Sequence, residues 1–331
     1  MQRSRSGYAS GVTMNPAFPE LRTPSSAALQ LALMQGDPAL DALDLVPESW
    51  VEHLLTLNVV HDLHLAPIDG LRGTERHQHH PTVVALKAEL EGGMLRGLCE
   101  REQTEDWGAD LDEGDPVAAI RALAARGRMP EVYPWLADEA SPEQIARFLA
   151  LEGGPDGGFD DLVAACQIGL AGEPKLELAT NYWDEMGRGA SADVHTELHH
   201  VMVDALGLEI PPRDDLPAPV LERGTLGGLL ATNRWLQPQL VGALGLIELQ
   251  AGPRCRKVAA ALRRIGAPAE ALVFYDEHAE TDPRHGKDWL EHVVRPLADD
   301  HRWAVGMVQG ARWRSLVDGA FVRWAHEHLA T

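Results

Sequence analysis

Cysteine is scarce in this 331-residue chain: Cys99, Cys166 and Cys255 are too few, too widely spaced and of the wrong parity for a disulfide framework or a cysteine-based zinc or iron–sulfur site. Long apolar runs are missing. No stretch approaches the roughly 20 residues that span a bilayer, and the opening MQRSRSGYASGVTMNP lacks the apolar middle of a signal peptide, so a cytoplasmic location is expected. Basic charge is also in short supply. The 29 Lys and Arg against 50 Asp and Glu give a formal net charge of −21, which repels polyanions and argues against nucleic acid as a partner. Few β-branched runs occur, whereas Ala, Leu and Glu recur with helical periodicity, so the fold is expected to be all-α. With 45% hydrophobic residues, the chain can bury a substantial core as one large domain or two smaller ones.

Residues 1–45 predict an extended arm with one short helix, and Trp50 to Leu65 a first amphipathic helix. The following APIDGLRGTERHQHHP reads as an exposed polar loop: His77, His79 and His80 could catch a metal, but nothing at helical spacing completes a site. Pro81 opens a helix to about Arg101. DWGADLDEGD, from Asp106 to Asp115, lacks the ordered alternation and terminal Glu of an EF-hand and reads as a solvated linker. Helices follow at about 116–126 and 141–152, the second started by Ser141. After GGPDGG, a helix over about 159–186 is expected to be kinked or divided by Pro174 and ended by Gly187 and Gly189. Ser191 then caps a helix carrying His195, His199 and His200 toward Leu206. Residues 207–225 read as a connector, Gly252-Pro253 as the end of LQPQLVGALGLIELQAG, and 254–265 as a separate basic helix. Helices at 296–309 and 311–329 close the chain, with Trp303, Trp313, Phe321 and Trp324 as packing residues. Residues 1–80 are assigned to an N-terminal arm and extension, and 81–331 to a helical bundle.

The chemistry lies in polar residues that interrupt apolar helix faces. In FYDEHAETDPRHGKDWLEHV, residues 274–293, the side chains of His278, Asp282 and His285 fall within an arc of about 60° on an ideal helix. Phe274, Trp289 and Val293 make the rest of that face apolar, so the three groups must be paired, metal-bound or costly. Glu248 interrupts a second stripe, four residues after Leu244 and seven after Val241. Glu185 ends a third, and on a straight helix it would stand about 80° and on the order of 15 Å from His195. The glycine break between them would let both point at one site. Each residue has a plainer reading: the triplet as a hydrogen-bonded surface cluster, Glu248 as an ion pair with Arg254 or Arg256, Glu185 as a solvated helix end. His199, one turn after His195, is the substitute ligand in another register. Together, three carboxylates and three imidazoles from three helical regions suit two iron or manganese ions, whereas structural zinc closes at four ligands and favours sulfur. Arg188 and Arg284 are candidate carboxylate clamps, with solvated surface as their plainer reading. Pro283 and Gly286 lead to the expectation that the third helix bends or loses order there when no metal is bound.

NYWDEMGRG with VHTELH, IELQAGPR and FYDEHAETDPRH resemble the iron-containing redox enzyme family of the haem-oxygenase-like diiron oxidase and oxygenase superfamily. The resemblance runs from about Val132, in VYPWLADEASPEQIARFLALEGG, to Phe321. It implies an all-α, haem-oxygenase-like helical bundle of about seven core helices that binds no haem, with an N-terminal helical extension. It places the family's ligands on Glu185 and His195, on Glu248 as a bridging carboxylate, and on His278, Asp282 and His285. It further implies an oxidoreductase with two Fe(II) ions and O2 as co-substrate, and leaves an external electron donor and a homodimer open. The separation of Glu185 from His195 is similar to that of the amine N-oxygenating branch, which points to N-oxygenation of a primary amine of an amino acid or derivative. Oxidative C–C cleavage, decarboxylation or desaturation of an amino or fatty acid by the same centre stays open, as does a metal-free helical binding module. A small molecule is the expected partner, with no nucleic acid and no membrane.

Overall fold

The computed structural model describes residues 21–108, 114–153 and 158–331. Among these residues there is no strand, and thirteen α-helices have seven residues or more. They are α1 (Pro24–Gln35), α2 (Trp50–Leu65), α3 (Pro81–Thr104), α4 (Pro116–Arg126), α5 (Val132–Asp138), α6 (Pro142–Glu152) and α7 (Phe159–Cys166), then α8 (Gly172–Glu185), α9 (His195–Leu206), α10 (Ala218–Ala231), α11 (Gln237–Arg264), α12 (Val273–Asp288) and α13 (His301–Leu329). The all-α bundle expected from the periodicity is what the chain forms. None of its described helices is long and apolar enough to cross a membrane.

Local signals start several helices where the sequence places them. Ser141 and Gln144 form a reciprocal capping box at α6, with Gln144 N donating to Ser141 Oγ at 3.2 Å and Ser141 N donating to Gln144 Oε1 at 2.8 Å. Pro174 divides the predicted 159–186 helix and sits in the first turn of α8, where its missing N–H costs nothing. Other expectations are corrected. Ser191 opens only a 3₁₀ turn, and α9 starts at His195 without a side-chain cap. The connector assigned to 207–225 already contains the start of α10. His77 is buried, with Nδ1 3.1 Å from Asp37 Oδ1, rather than standing on an exposed loop. Two helices, α1 and the short Asp37–Asp41, occupy the segment assigned one. Expectations for residues 1–20, for 109–113 of the acidic linker and for 154–157 of GGPDGG lie outside the described residues.

The larger correction concerns length. α11 runs 28 residues straight through Pro253, and α13 runs 29 residues across the division expected near 310. Glycines inside both helices are notches at their crossing: a Cβ on Gly242 would collide with the Met307 carbonyl, and one on Gly310 with the Gln239 carbonyl. Backbone contact between α11 and α13 offsets the poor helix propensity of glycine. Pro283 does not interrupt its helix either. α12 remains α-helical through that residue and departs from α geometry only later, in the π-helical Trp289–Val294 that continues it. Room for the proline ring comes from α11, where a Cβ on Gly252 would lie 2.9 Å from Pro283 Cδ.

Two apolar clusters make the core, and the long helices pass from one to the other. Leu240, Val241, Leu244 and Leu246 of α11 belong to the first cluster, and Val258, Ala259 and Leu262 to the second. α13 makes the same passage, from Met307 and Val317 to Phe321 and Leu329. α12 with its π-helical continuation makes it in reverse, with Tyr275 in the second cluster and Trp289, Leu290 and Val293 in the first. Between the clusters these helices carry Glu248, Asp282, His285, Arg314 and Asp318, all buried. The fold therefore contains a polar seam between two apolar bodies.

Candidate metal centre

Glu185 is the last residue of α8, and the chain doubles back immediately after it. Gly187, Arg188 and Gly189 all have positive φ, at 57°, 52° and 88°. A Cβ at Gly187 would lie 2.5 Å from the backbone carbon of Asp193, so the reversal is tight enough to require glycine. It brings His195, the first residue of α9, back to the end of α8, with Nδ1 2.8 Å from Glu185 Oε2. The His278 ring of α12 lies 4.5 Å from the His195 ring, centroid to centroid. Glu248 comes in from the middle of α11, and His285 Nδ1 is 3.7 Å from its Oε2.

Five of the six predicted ligands thus meet in two groups that share Glu185. Donor atoms of Glu185, His195 and His278 lie within 4.8 Å of one another, and so do those of Glu185, Glu248 and His285. Asp282 falls in neither group. It is buried on the same seam and lines the same cavity as Glu185, His195, Glu248 and His278, with Oδ2 lacking any hydrogen-bond partner. The carboxylate common to both groups is Glu185, whereas the family pattern assigns bridging to Glu248. His199 joins no group: it faces Phe274 edge-on at 5.3 Å, and burial lowers its pKa to about 4.

The donor set passes the test for a cation site. None of Glu185, Glu248 and Asp282 has an ion pair with Lys or Arg among the described residues, so the surface-cluster reading and the Glu248–arginine reading both fall. Arg254 instead donates to the Gly127 carbonyl and to Gln250, and Arg256 to the Ala279 carbonyl. Burial, and then the charge of Glu185, pushes the Glu248 carboxyl up to about 8. Burial, then Glu248 and Glu185, pushes Asp282 well above the ordinary range. Burial works against a charge on His195, but Glu185, with Oε2 2.8 Å from Nδ1, outweighs burial and raises the imidazole pKa, whereas His285 Nδ1 has no hydrogen-bond partner. Buried carboxylates that repel one another, with imidazole nitrogens turned toward them, are the electrostatics that a divalent cation resolves.

Neighbouring groups fix which nitrogen each imidazole presents. His278 Nδ1 is 2.7 Å from the Phe274 carbonyl, which makes it the protonated nitrogen and leaves Nε2 as the donor atom. His285 is held the other way round, with Nε2 2.9 Å from Asp184 Oδ2 and Nδ1 left toward Glu248. Asp184 also accepts from Arg188 Nε at 2.7 Å and Arg284 Nη2 at 2.6 Å. Burial works against its charge, but these hydrogen bonds hold its carboxyl well below the usual range. The two arginines are therefore neither substrate clamps nor idle surface: they anchor the aspartate that orients His285. Asn181 Nδ2 donates to Glu248 Oε1 at 2.8 Å. Sequence reasoning missed Asp184 and Asn181, although Asn181 stands one turn before Glu185 and Arg188 one turn after Asp184.

The centre opens into a cavity of about 250 Å³. Ile247, Ala251, Val258 and Phe274 supply apolar wall beside Glu248 and His278.

Residues 147–319 match the family described as iron-containing redox enzyme. A nitrosourea synthase from Streptomyces achromogenes subsp. streptozoticus is 24% identical over 267 residues, covering 76% of this chain. The chain spans about half the length of that relative, 55%. Among solved structures, a CADD-like protein of unknown function from Nostoc punctiforme is similar with a TM-score of 0.42 and 14% identity, covering 70% of this chain and 98% of that one. A second crystal structure under the same description matches with a TM-score of 0.40 and 13% identity, covering 72% of this chain and 97% of that one.

Proposed function

This chain belongs to the iron-containing redox enzyme family, and from that premise we propose that it is a dioxygen-dependent diiron oxygenase that N-oxygenates a primary amine of an amino acid or derivative. The observation that carries the proposal is the buried group of three carboxylates beside three imidazoles, none of the carboxylates paired with Lys or Arg among the described residues. One ion is assigned to Glu185, His195 and His278, and the other to Glu185, Glu248 and His285, with Asp282 completing the set from α12. When bound, the ferrous pair supplies electrons for the reduction of dioxygen. One oxygen atom then goes to the amine nitrogen and the other leaves as water, with two electrons and two protons drawn from an external donor.

The chain's own residues prepare the site for this. The Phe274 carbonyl and Asp184 lock the tautomers of His278 and His285, so no proton has to be displaced from the ligating nitrogen. Asn181 holds Glu248 in place, and Ile247, Ala251 and Phe274 give the cavity an apolar wall beside the ligands. N-oxygenation is favoured over carbon chemistry by the relative whose name denotes an oxidised-nitrogen product.

Anaerobic addition of ferrous iron followed by oxygen tests the reading. The expected results are two irons per chain, a transient visible absorption, and oxygen uptake triggered by members of an amine and amino-acid panel. Product mass separates the chemistries: one added oxygen on nitrogen supports N-oxygenation, whereas loss of two hydrogens or of carbon dioxide assigns desaturation or decarboxylation. No absorption and no uptake with any substrate would sink the enzyme and leave a metal-free binding module.

A further inference from the structure

The cavity has a second charged pole that the metal chemistry does not use. Away from the ligands its wall includes Tyr133, Glu152, Arg223, Arg254, Arg314 and Asp318. Arg223, Arg314 and Asp318 are only 7%, 5% and 4% exposed. Arg223 Nε donates to Asp318 Oδ1 at 3.1 Å, and Arg314 Nη2 lies 3.0 Å from the same oxygen. Arg254 Nη1 reaches only to 3.8 Å from Asp318 Oδ2. The other carboxylate, Glu152, accepts from the Tyr133 hydroxyl at 2.7 Å. Burial pushes the Tyr133 pKa far up, so this group adds no negative charge.

Three guanidiniums therefore face two carboxylates. However they pair, the pole holds one positive charge more than its own acids cancel, in an interior where uncompensated charge is costly. Arg254 also has a donor to spare: its Nη2 is engaged by the Gly127 carbonyl and Gln250, but its Nη1 makes no polar contact among the described residues closer than the 3.8 Å to Asp318 Oδ2. A carboxylate in the cavity would supply both the missing charge and the missing acceptor, in the geometry that guanidinium groups favour.

The two poles are laid out along one helix. Glu248 and Arg254 are six residues apart on α11, about 9 Å along its axis. Cys255 stands between them in charge terms, because after burial the groups raising its pKa are Asp282 from one pole and Glu152 from the other. Ile247, Ala251, Val258 and Phe274 make the intervening wall apolar.

We infer that the cavity takes an elongated ω-amino carboxylate, with its carboxylate on Arg254, Arg223 and Arg314, its methylenes along the apolar wall of α11, and its distal amine at the metal-ligand end. An α-amine sharing a carbon with the carboxylate would not reach. The orientation rests on the oxygenase reading given above; the carboxylate subsite itself does not.

The test is calorimetric titration of the ferrous protein without oxygen, using 6-aminohexanoate and hexylamine, which present the same amine with and without a carboxylate. The aminocarboxylate should bind about tenfold tighter or more, the worth of a charge-assisted hydrogen bond. Arg254→Gln should abolish that difference while leaving hexylamine affinity and iron content unchanged. The inference is overturned if the aminocarboxylate fails to bind or binds no better than hexylamine, or if Arg254→Gln weakens both equally. Should the variant not fold, the two probes on the unmodified protein decide alone. Because binding is read without turnover, failure of every amine to trigger oxygen uptake would remove the N-oxygenation reading and leave the subsite result standing on its own.

Discussion

Glu91 and Glu248 are both buried carboxylates beside a histidine, yet their surroundings drive them in opposite directions. Glu91, on α3, lies 3.0 Å from His61 Nε2 and accepts from Lys87 Nζ at 2.7 Å and Asn233 Nδ2 at 2.8 Å. Burial raises its pKa, but His61 and Lys87 outweigh burial and the net shift is downward. Glu248 accepts from Asn181 at 2.8 Å, faces Glu185 and Asp282, and is pushed up to about 8. One cluster is closed in charge and holds the fold together; the other is open by design of its donor set. A buried histidine next to a glutamate does not mark a metal site. Carboxylates in excess of local cations are what sets the proposed one apart.

The largest effects should come from breaking the open cluster. Glu248→Ala and His285→Ala are expected to bring iron from two per chain to one or none and to abolish oxygen uptake, with the far-UV circular dichroism unchanged. Unchanged iron stoichiometry would reject the ligand assignment. Glu91→Ala should do the reverse. It strands the Lys87 ammonium and His61 in the interior, at a cost of about 3–5 kcal/mol in denaturant unfolding, and leaves iron content per folded chain intact. If Glu91→Ala also loses iron, the two clusters are not independent and the comparison fails.

A smaller effect sharpens the boundary of the open cluster. Asp184→Asn keeps the shape of the group that orients His285 but removes its charge, and outer partners of this kind are worth about 10–100-fold in metal affinity. Competition with a chelator should show that loss for Asp184→Asn, while Asp37→Asn, beside the buried His77 of the N-terminal region, should leave iron affinity unmoved. Equal effects from the two would mean that Asp184 acts through general electrostatics and not through the imidazole it holds.

The same contrast explains what could be read before the structure. Helical spacing on α12 was enough to place His278 and His285, because four- and three-residue steps fix a face whatever the helix packs against. The Gly187–Gly189 turn was legible for a similar reason: positive φ is a local demand. Length was not legible. Gly310 and Gly252-Pro253 weaken a helix in isolation, and only the partner helix, invisible in a linear reading, turns the missing side chains into contact surface. Asp184 was hidden by adjacency. It sits next to Glu185, and a pair of acids at a helix end reads as solvated until His285, Arg188 and Arg284 are seen to converge on one of them. The arginine pole was likewise dispersed over α10, α11 and α13, with no spacing to connect its members.

The finest discrimination uses two matched asparagines. Asn233 donates to Glu91 and Asn181 to Glu248, each at 2.8 Å, and Asn233 Nδ2 donates to the Leu229 carbonyl as well, a bond whose worth does not depend on pH. The Glu248 pKa is raised above its unfolded value, so between about pH 4.3 and 8 the folded metal-free chain keeps a proton that the unfolded chain has released, and its stability falls as pH rises through that window. At pH 6 Asn181 therefore bonds a neutral carboxyl, and Asn181→Ala should cost about 0.5–1.5 kcal/mol; at pH 9 the same bond serves a carboxylate and should cost about 1.5–3 kcal/mol. Glu91 is shifted downward and stays ionised at both values, so Asn233→Ala should cost about 1.5–3 kcal/mol at each. Denaturant titrations of both variants with chelator present, at pH 6 and pH 9, separate the cases. A pH-independent cost for Asn181→Ala would place a compensating cation beside Glu248 in the protein itself and remove the electrostatic reason for a metal there.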